Sequence, residues 1–397
     1  MNIVIVGGGF GGVKTALELA KNKNINIKLI SDSDDFCYYP ALYSVATGHS
    51  HLTSWVPLSE IFQNYNNVEL IKDTITSIDK ATKNLTGQSG KKYDYTKLVL
   101  SLGTVTTYFG IEGLDSYSFG IKSVDEIDQL KNHLQTSIAD SQTTERHYVI
   151  IGAGPTGVEL AAALGSYLNR ICQHYNVKKA DYSIELIEAA PRVLPRMSEK
   201  TSRRVTRRLT KLGINVQLDK KVESASVDGI MVSGKPLKSH TVIWTSGVAS
   251  NPFYKNNADQ FEFDERGRIK VDSQMRSSDG VYVIGDNAST QYSGLAQTAL
   301  HDAVFIAKNF KRQLSGAAVD KYKAVMPPVV VPVGESWAVF EWHKLRLYGW
   351  PAAILRKLAD FMGYHDILPI GQALGVWRAE KIMEDDFVEA NRKKRNR

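Results

Sequence analysis

Two sets of spaced glycines, and the acidic residues that follow them, are the parts of this chain whose types and spacing can do chemistry. Gly7, Gly9 and Gly12, with Phe10 and Gly11 between them, read G-x-G-x-x-G, and Gly152, Gly154 and Gly157 repeat the pattern around Pro155 and Thr156. Such spacing suits a dinucleotide. The first glycine makes a tight turn, the second lets backbone approach a pyrophosphate, and the third lets a helix pack close to a strand. A helix starting there aims unpaired N–H groups and its positive dipole end at phosphate. A lone glycine-rich turn can be purely structural, but two fingerprints in one chain imply two dinucleotides, and a single-cofactor dehydrogenase needs only one. Ser31 and Asp32 lie about 20 residues beyond the first fingerprint, where a carboxylate grips an adenosine ribose; the run SDSDD also fits a plain loop. Glu188 ends the strand after the second fingerprint, at a longer spacing than usual. A carboxylate there repels a 2′-phosphate, which favours NADH over NADPH, while Arg192 four residues on works against that preference. Asp286 follows Gly285 at the end of a third short apolar strand.

The elements that must hold these residues are legible around them. Ile3 to Val6 form an uninterrupted β-branched run, the pattern of a parallel strand covered on both faces. A helical pattern follows through Ala16, Leu17, Leu19 and Ala20, then strands over residues 25–30, 68–71, 74–78 and 97–102. Residues 39–48 read as a turn and helix. A polar helix over residues 124–139 leads to the second apolar strand at 148–151, then a long helix through 165–175 and a strand over 184–187. Residues 279–284 form the short strand before Asp286, and a helix spans residues 295–310. Beyond residue 326 the character changes. Residues 329–333 and 337–342 suggest a hairpin, and Pro351 opens an amphipathic helix with Ile354, Leu355, Leu358, Phe361 and Met362 opposite Arg356, Lys357 and Asp360. The expected fold is α/β: two Rossmann-like dinucleotide-binding domains plus a C-terminal α+β region contacting membrane or a second copy. The expected boundaries are 1–122 and 271–325 for the first dinucleotide-binding domain, in two parts, 123–270 for the second, and 326–397 for the C-terminal region.

Composition narrows the function. With 397 residues, 43% hydrophobic and 23% charged, the chain can build several cores, and no run reaches the roughly 18–20 apolar residues of a membrane span. A first strand starting at residue 2 leaves no room for a signal peptide, so the expected location is the cytoplasm or the cytoplasmic side of a membrane. Cys37 and Cys172 are distant, which excludes a disulfide framework, a cysteine-rich metal site and a redox-active C-x-x-C pair. The nine histidines are scattered and offer no ligand cluster, so no metal is expected. The net charge of +7 concentrates in residues 200–211 and in the tail 391–397, without interleaved aromatics. That disfavours nucleic acid; the tail reads either as a contact to acidic lipid head groups or as a solvated end.

Together these segments resemble the type II NADH:quinone oxidoreductases. The likeness runs from residue 1 to about 310. It rests on LYSVATG (42–48), YTKLVLSLGT (95–104), GAGPTGVELA (152–161), PRVLP (191–195), VIWTSGV (242–248), VYVIGDNA (281–288) and an alanine-glutamine signature at Ala296 and Gln297. Where that family carries a second glutamine four residues on, this chain has His301. After residue 326 the usual paired amphipathic helices are not plain, and VVVPVG (329–334) looks closer to apoptosis-inducing-factor-like quinone reductases. The resemblance implies tightly bound, non-covalent FAD along residues 7–12, with Ser31 and Asp32 at its ribose, Ile75 at its adenine and Asp286 at its ribityl–phosphate stretch. Thr47 and Gly103 would join this site, and Gly247 the cofactor site beside NADH. The helix at Ala296 would aim its N–H groups at the flavin's pyrimidine edge, where negative charge builds on reduction. NADH would lie on residues 152–157 with its ribose on Glu188, and a quinone on the other side of the flavin near Gln297. Glu159 then reads either as a proton-relay residue or as a carboxylate favoured by a helix start. His301 reads either as a structural histidine or, with a pKa near neutrality, as a proton donor. The implied activity is a non-proton-pumping respiratory NADH dehydrogenase on the membrane surface. The rivals are a soluble NAD(P)H-dependent flavin reductase of a protein acceptor and an NADH-sensing flavoprotein. Sulfide:quinone reductase would need redox cysteines that Cys37 and Cys172 do not supply.

Overall fold

The computed structural model describes residues 2–139, 146–177 and 182–384; the basic tail 391–397 lies outside them. The first apolar run becomes strand Asn2–Val6, with Ile3, Val4 and Ile5 fully buried at the centre of a six-stranded sheet. Asn26–Ser31 and then Val68–Lys72 lie on one side of it, and Lys97–Leu100, Val281–Val283 and Arg276–Ser278 on the other. All pairings are parallel except the last. The chain order reverses beside Asn2–Val6, which makes a crevice at the carboxyl edge of that strand. Helices Phe10–Ala20 and Ala296–Leu314 pack together on this sheet, so both begin at the same edge.

A second parallel sheet repeats the plan. Ile214–Gln217, Ser183–Ile187, His147–Ile151 and Thr241–Trp244 lie side by side, and the helix after His147–Ile151 runs unbroken from Pro155 to His174. The repeat extends further than the glycines. Each half carries a three-stranded antiparallel meander, Ile75–Asp79, Asn84–Gly87 and Lys92–Asp94 in the first and Val222–Ser226, Gly229–Val232 and Lys235–Lys238 in the second. A two-stranded ribbon, Thr104–Thr106 against Val248–Ser250, ties the halves together.

The C-terminal part bridges both cores. Its sheet has a third strand beyond the expected hairpin: Val329–Pro332, Ala338–Trp342 and Leu345–Gly349. Val331, Val333 and Val339 join the core of the second half, and Tyr364, Ile367, Leu368 and Ala373 join that of the first. Two helices follow, Trp350–His365 and Ile370–Ala379. The second of them was not legible in the sequence, because its two polar residues, Gln372 and Arg378, lie on different sides and make no polar face. No helix among the described residues is long and apolar enough to cross a membrane.

Candidate functional site: two anion nests and a buried ion cluster

At the first nest Gly7 has φ +113°, and a Cβ there would fall 2.3 Å from the Ser101 carbonyl oxygen. At Gly12 a Cβ would fall 1.9 Å from the oxygen of Gly7, so close packing of helix on strand demands glycine. A Cβ at Gly9 would meet nothing: it points into open space where a ligand can approach. Helix Phe10–Ala20 has no side-chain cap, and its first intrahelical bond is Val13 N–H to Gly9 O at 3.0 Å. The N–H groups of Phe10, Gly11 and Gly12 lie ahead of that bond, the arrangement that receives an anion. Ser31 is buried and its Oγ accepts the Ser33 N–H, while Asp32 is exposed at the same edge. Ile75 is buried at the start of the first meander.

Around the same crevice, Gly103 has φ +65° and open space on its Cβ side. Asp286 sits in a 3-10 turn. Burial raises its pKa against the opposing pull of Arg268, the Gly294 N–H and Thr104. The helix at Ala296 also lacks a side-chain cap, and its first bond is Thr298 N–H to Leu295 O. The N–H groups of Ala296 and Gln297 therefore face the crevice edge, with the Gln297 side chain exposed.

The second nest repeats this geometry. Gly152 has φ +104°, a Cβ at Gly157 would fall 1.8 Å from the Gly152 oxygen, and Gly154 is open. Pro155 and Thr156 are exposed in the uncapped first turn. Glu188 Oε2 accepts the Ala153 N–H at 2.7 Å and Oε1 the Ala190 N–H at 2.8 Å. The carboxylate is thus held on the glycine turn with its outer lone pairs free for ribose. Arg192 donates to the carbonyls of Met197 (2.7 Å) and Pro195 (2.6 Å), so its guanidinium is committed to its own loop rather than turned to a 2′-phosphate. Beyond Glu188 opens a cavity of about 780 Å³ lined by Pro191, Arg192, Ser198, Arg203, Arg207 and Leu218. On the other side of the turn, Gly247 has φ +77°.

Between the halves lies a cluster the sequence did not foretell. Glu159, in the second turn of the Pro155 helix, is buried and receives Arg356 Nη1 at 3.2 Å. Arg356 also donates to Asp360 Oδ2 (2.7 Å) and to Pro40 O (2.8 Å), and Tyr38 Oη donates to Asp360 Oδ1. Burial pushes the Glu159 carboxyl up to about 8, with Arg356 opposing and Asp360 adding to the rise. Arg356 and Asp360 sit four residues apart on the inner face of the Trp350 helix, so that helix turns these two charges inward while Lys357 stays exposed. Its apolar residues point outward: Trp350 is 70% exposed, Met362 66%, and Ile354 and Leu358 about half. Of the residues opposite the charges, only Leu355 and Phe361 are partly covered.

Two expected residues are engaged locally. Thr47 is buried, its hydroxyl donating to Tyr43 O and Ser44 O, and its own carbonyl accepts from Arg170. His301 Nε2 donates to Lys323 O at 3.0 Å beside the Tyr322 ring, and Tyr322 Oη donates to the buried Asp302. That contact fits a histidine pinning residues 320–323 to the Ala296 helix.

Two uncapped nests at the carboxyl edges of paired parallel sheets, joined by an antiparallel ribbon, define a two-dinucleotide oxidoreductase. Residues 1–303 match the pyridine nucleotide-disulphide oxidoreductase family. A type II NADH:quinone oxidoreductase of Mycobacterium tuberculosis is 31% identical over 79% of this chain and 73% of its own. One of Staphylococcus saprophyticus is 27% identical over 94% and 97%. Within that wider family the chain belongs to the type II NADH:quinone oxidoreductases. Solved structures share the fold: NDH2 from Plasmodium falciparum, in complex with NADH, has a TM-score of 0.84 at 17% identity, covering 96% of this chain and 97% of that one. The sulfide:quinone oxidoreductase of Aquifex aeolicus has a TM-score of 0.77 at 20% identity, covering 90% and 89%.

Proposed function

We propose that this enzyme oxidises NADH and reduces a membrane quinone at the cytoplasmic face of the membrane, without pumping protons. The observation that carries this reading is the pair of nests, each with glycines that no other residue could replace and an uncapped helix start. FAD, when bound, would supply the redox chemistry, a two-electron transfer from NADH to quinone. The chain's residues bind and orient. Gly7 to Gly12 hold the FAD pyrophosphate, Ser31 and Asp32 its ribose edge, and Asp286 its polar chain. The N–H groups of Ala296 and Gln297 stabilise charge at the flavin's pyrimidine edge. Gly152 to Gly157 hold NADH, with Glu188 on the adenosine ribose. Quinone reduction consumes two protons, and Glu159, its buried carboxyl pushed up to about 8, would hold one of them.

The outward apolar stripe of Trp350, Ile354, Leu358 and Met362, with exposed Ile370 beyond it, supports interfacial contact with a bilayer. Flotation with vesicles tests this. Binding that falls several-fold in Ile354→Ser/Leu358→Ser is expected, whereas retained vesicle binding with loss of dimer would assign the face to a second copy.

The cofactor preference has its own test. Glu188→Ser removes the charge that repels a 2′-phosphate, so the ratio of kcat/KM for NADH over NADPH should fall about tenfold or more. An unchanged ratio would mean that the ribose is read elsewhere. Steady-state assays with a water-soluble quinone against ferredoxin separate quinone reduction from transfer to a protein acceptor.

A further inference from the structure

Phe109 stands in an unusual state for a bulky aromatic. Its backbone is left-handed, φ +54°, and its side chain is 66% exposed. An aromatic residue in that conformation is strained, and such strain persists only where the surroundings impose it. Here they do. Phe109 N–H donates to Thr107 Oγ1 (3.2 Å), Thr107 N–H to Gly247 O (3.2 Å), and Trp244 Nε1 to Thr107 O (3.1 Å). The ring meets Trp244 edge to face at 6.2 Å. Gly247 makes room for it: a Cβ there would fall 2.3 Å from Thr107 O and 2.8 Å from Phe109 Cε2. One edge of the ring is fixed and the rest is presented to solvent.

Its place explains why. Ser246, beside Gly247, packs against Gly152, the first glycine of the second nest. Thr241–Trp244 neighbours His147–Ile151 on the side opposite Ser183–Ile187, the strand that ends at Glu188. A dinucleotide with its pyrophosphate on the nest and its adenosine on Glu188 must send its other half across residues 245–247. The ribbon of Thr104–Thr106 and Val248–Ser250 runs from that point back to the crevice that contains Asp286.

We infer that Phe109 is a stacking platform for the nicotinamide–ribose half of NADH, turned outward by Gly247 so that it steers that half toward the flavin crevice. This rests on the second nest being the NADH site. The ligand's flat, cationic or neutral ring is the chemistry an exposed aromatic recognises.

Phe109→Ala and Phe109→Gly, each as the FAD-loaded protein, test it by anaerobic rapid mixing with NADH and then with a quinone analogue, alongside Glu188→Ser. The expected result is roughly tenfold weaker NADH binding in both Phe109 variants, quinone-driven reoxidation at the wild-type rate, and recovery in Phe109→Tyr. Phe109→Gly should also unfold at or above the wild-type temperature, since glycine accepts φ +54° freely. Unchanged NADH binding in both variants, with Glu188→Ser weakened, would overturn the platform while leaving the nest. Unchanged binding in all three would overturn the nest reading itself. Loss of both half-reactions together with a lower unfolding temperature in Phe109→Gly would make Phe109 structural and overturn the proposal.

Discussion

Alanine at Gly12 is expected to give a protein that retains little or no flavin and unfolds well below the wild type. The added methyl would stand 1.9 Å from the Gly7 oxygen and 2.7 Å from Ser101 Oγ, and the first of these is backbone that cannot swing aside. Helix Phe10–Ala20 must lift off strand Asn2–Val6. Overpacking of this kind costs about 1–3 kcal/mol or more, and the lift also opens the nest whose N–H groups hold the pyrophosphate. Gly9→Ala is the informative partner. Its Cβ meets no atom of the protein, so the flavin-free form should unfold at the wild-type temperature while flavin content still falls. The difference between the two is the difference between a glycine needed for packing and one needed for ligand approach. The readouts are flavin absorbance per protein and thermal unfolding of loaded and stripped samples. Full flavin occupancy in both variants would contradict the assignment of this nest.

Arg356→Met is expected to be nearly as severe, and to be severe in a pH-dependent way. Arg356 holds two buried carboxylates and the Pro40 carbonyl, and removing one partner of a buried ion pair typically costs about 3–5 kcal/mol. The sign of the pH effect follows from Glu159. Its carboxyl titrates near 8 in the folded protein against about 4.5 when free, because burial outweighs the opposing Arg356. The folded state therefore binds a proton that the unfolded state lacks between those limits. The group's contribution to stability is fully present below the free value and is lost as pH rises through about 8. Without Arg356 the carboxyl shifts further up, so the variant should lose more stability at pH 9, where it must take up a proton or bury an unpaired anion while the wild type keeps its ion pair, than at pH 6, where the carboxyl is protonated in both. The alkaline limb of turnover should move upward with it. An equal loss of stability at both pH values would mean that Glu159 takes no part. Arg356→Lys should recover only part, since one ammonium cannot span three acceptors as the planar fork does.

The same cluster shows where the sequence stops being informative. Gly12 and Gly157 announce themselves because the contact that demands glycine is local, with the oxygens of Gly7 and Gly152, and Gly7 and Gly152 do so through the positive φ of their turns. Most of the parallel strands are legible as short apolar runs, whereas Ile214–Gln217 and Thr241–Trp244 escape the reading. Arg356 and Asp360 look like the solvated face of an amphipathic helix, yet they are the buried face, because their partners Glu159, Tyr38 and Pro40 are hundreds of positions away. The exposed Trp350, Ile354, Leu358 and Met362 betray the inversion, and exposure is not written in a periodicity. The first strand of the meander at residues 75–94 is expected over 74–78, but its other two strands and the meander at 222–238 escape notice because each is only three to five residues long. His301 shows a third limit. Its Nε2 is engaged with Lys323 O, and a partner 22 positions away is not legible from the residues around it.

The relay from NADH to quinone is tested most directly by anaerobic stopped-flow of the purified, flavin-loaded protein. Mixing with NADH should bleach the flavin absorbance, and a second mix with a quinone analogue should restore it at a rate that supports steady-state turnover. No bleaching by NADH, or a bleached flavin that no quinone reoxidises, would contradict the proposed function at its centre.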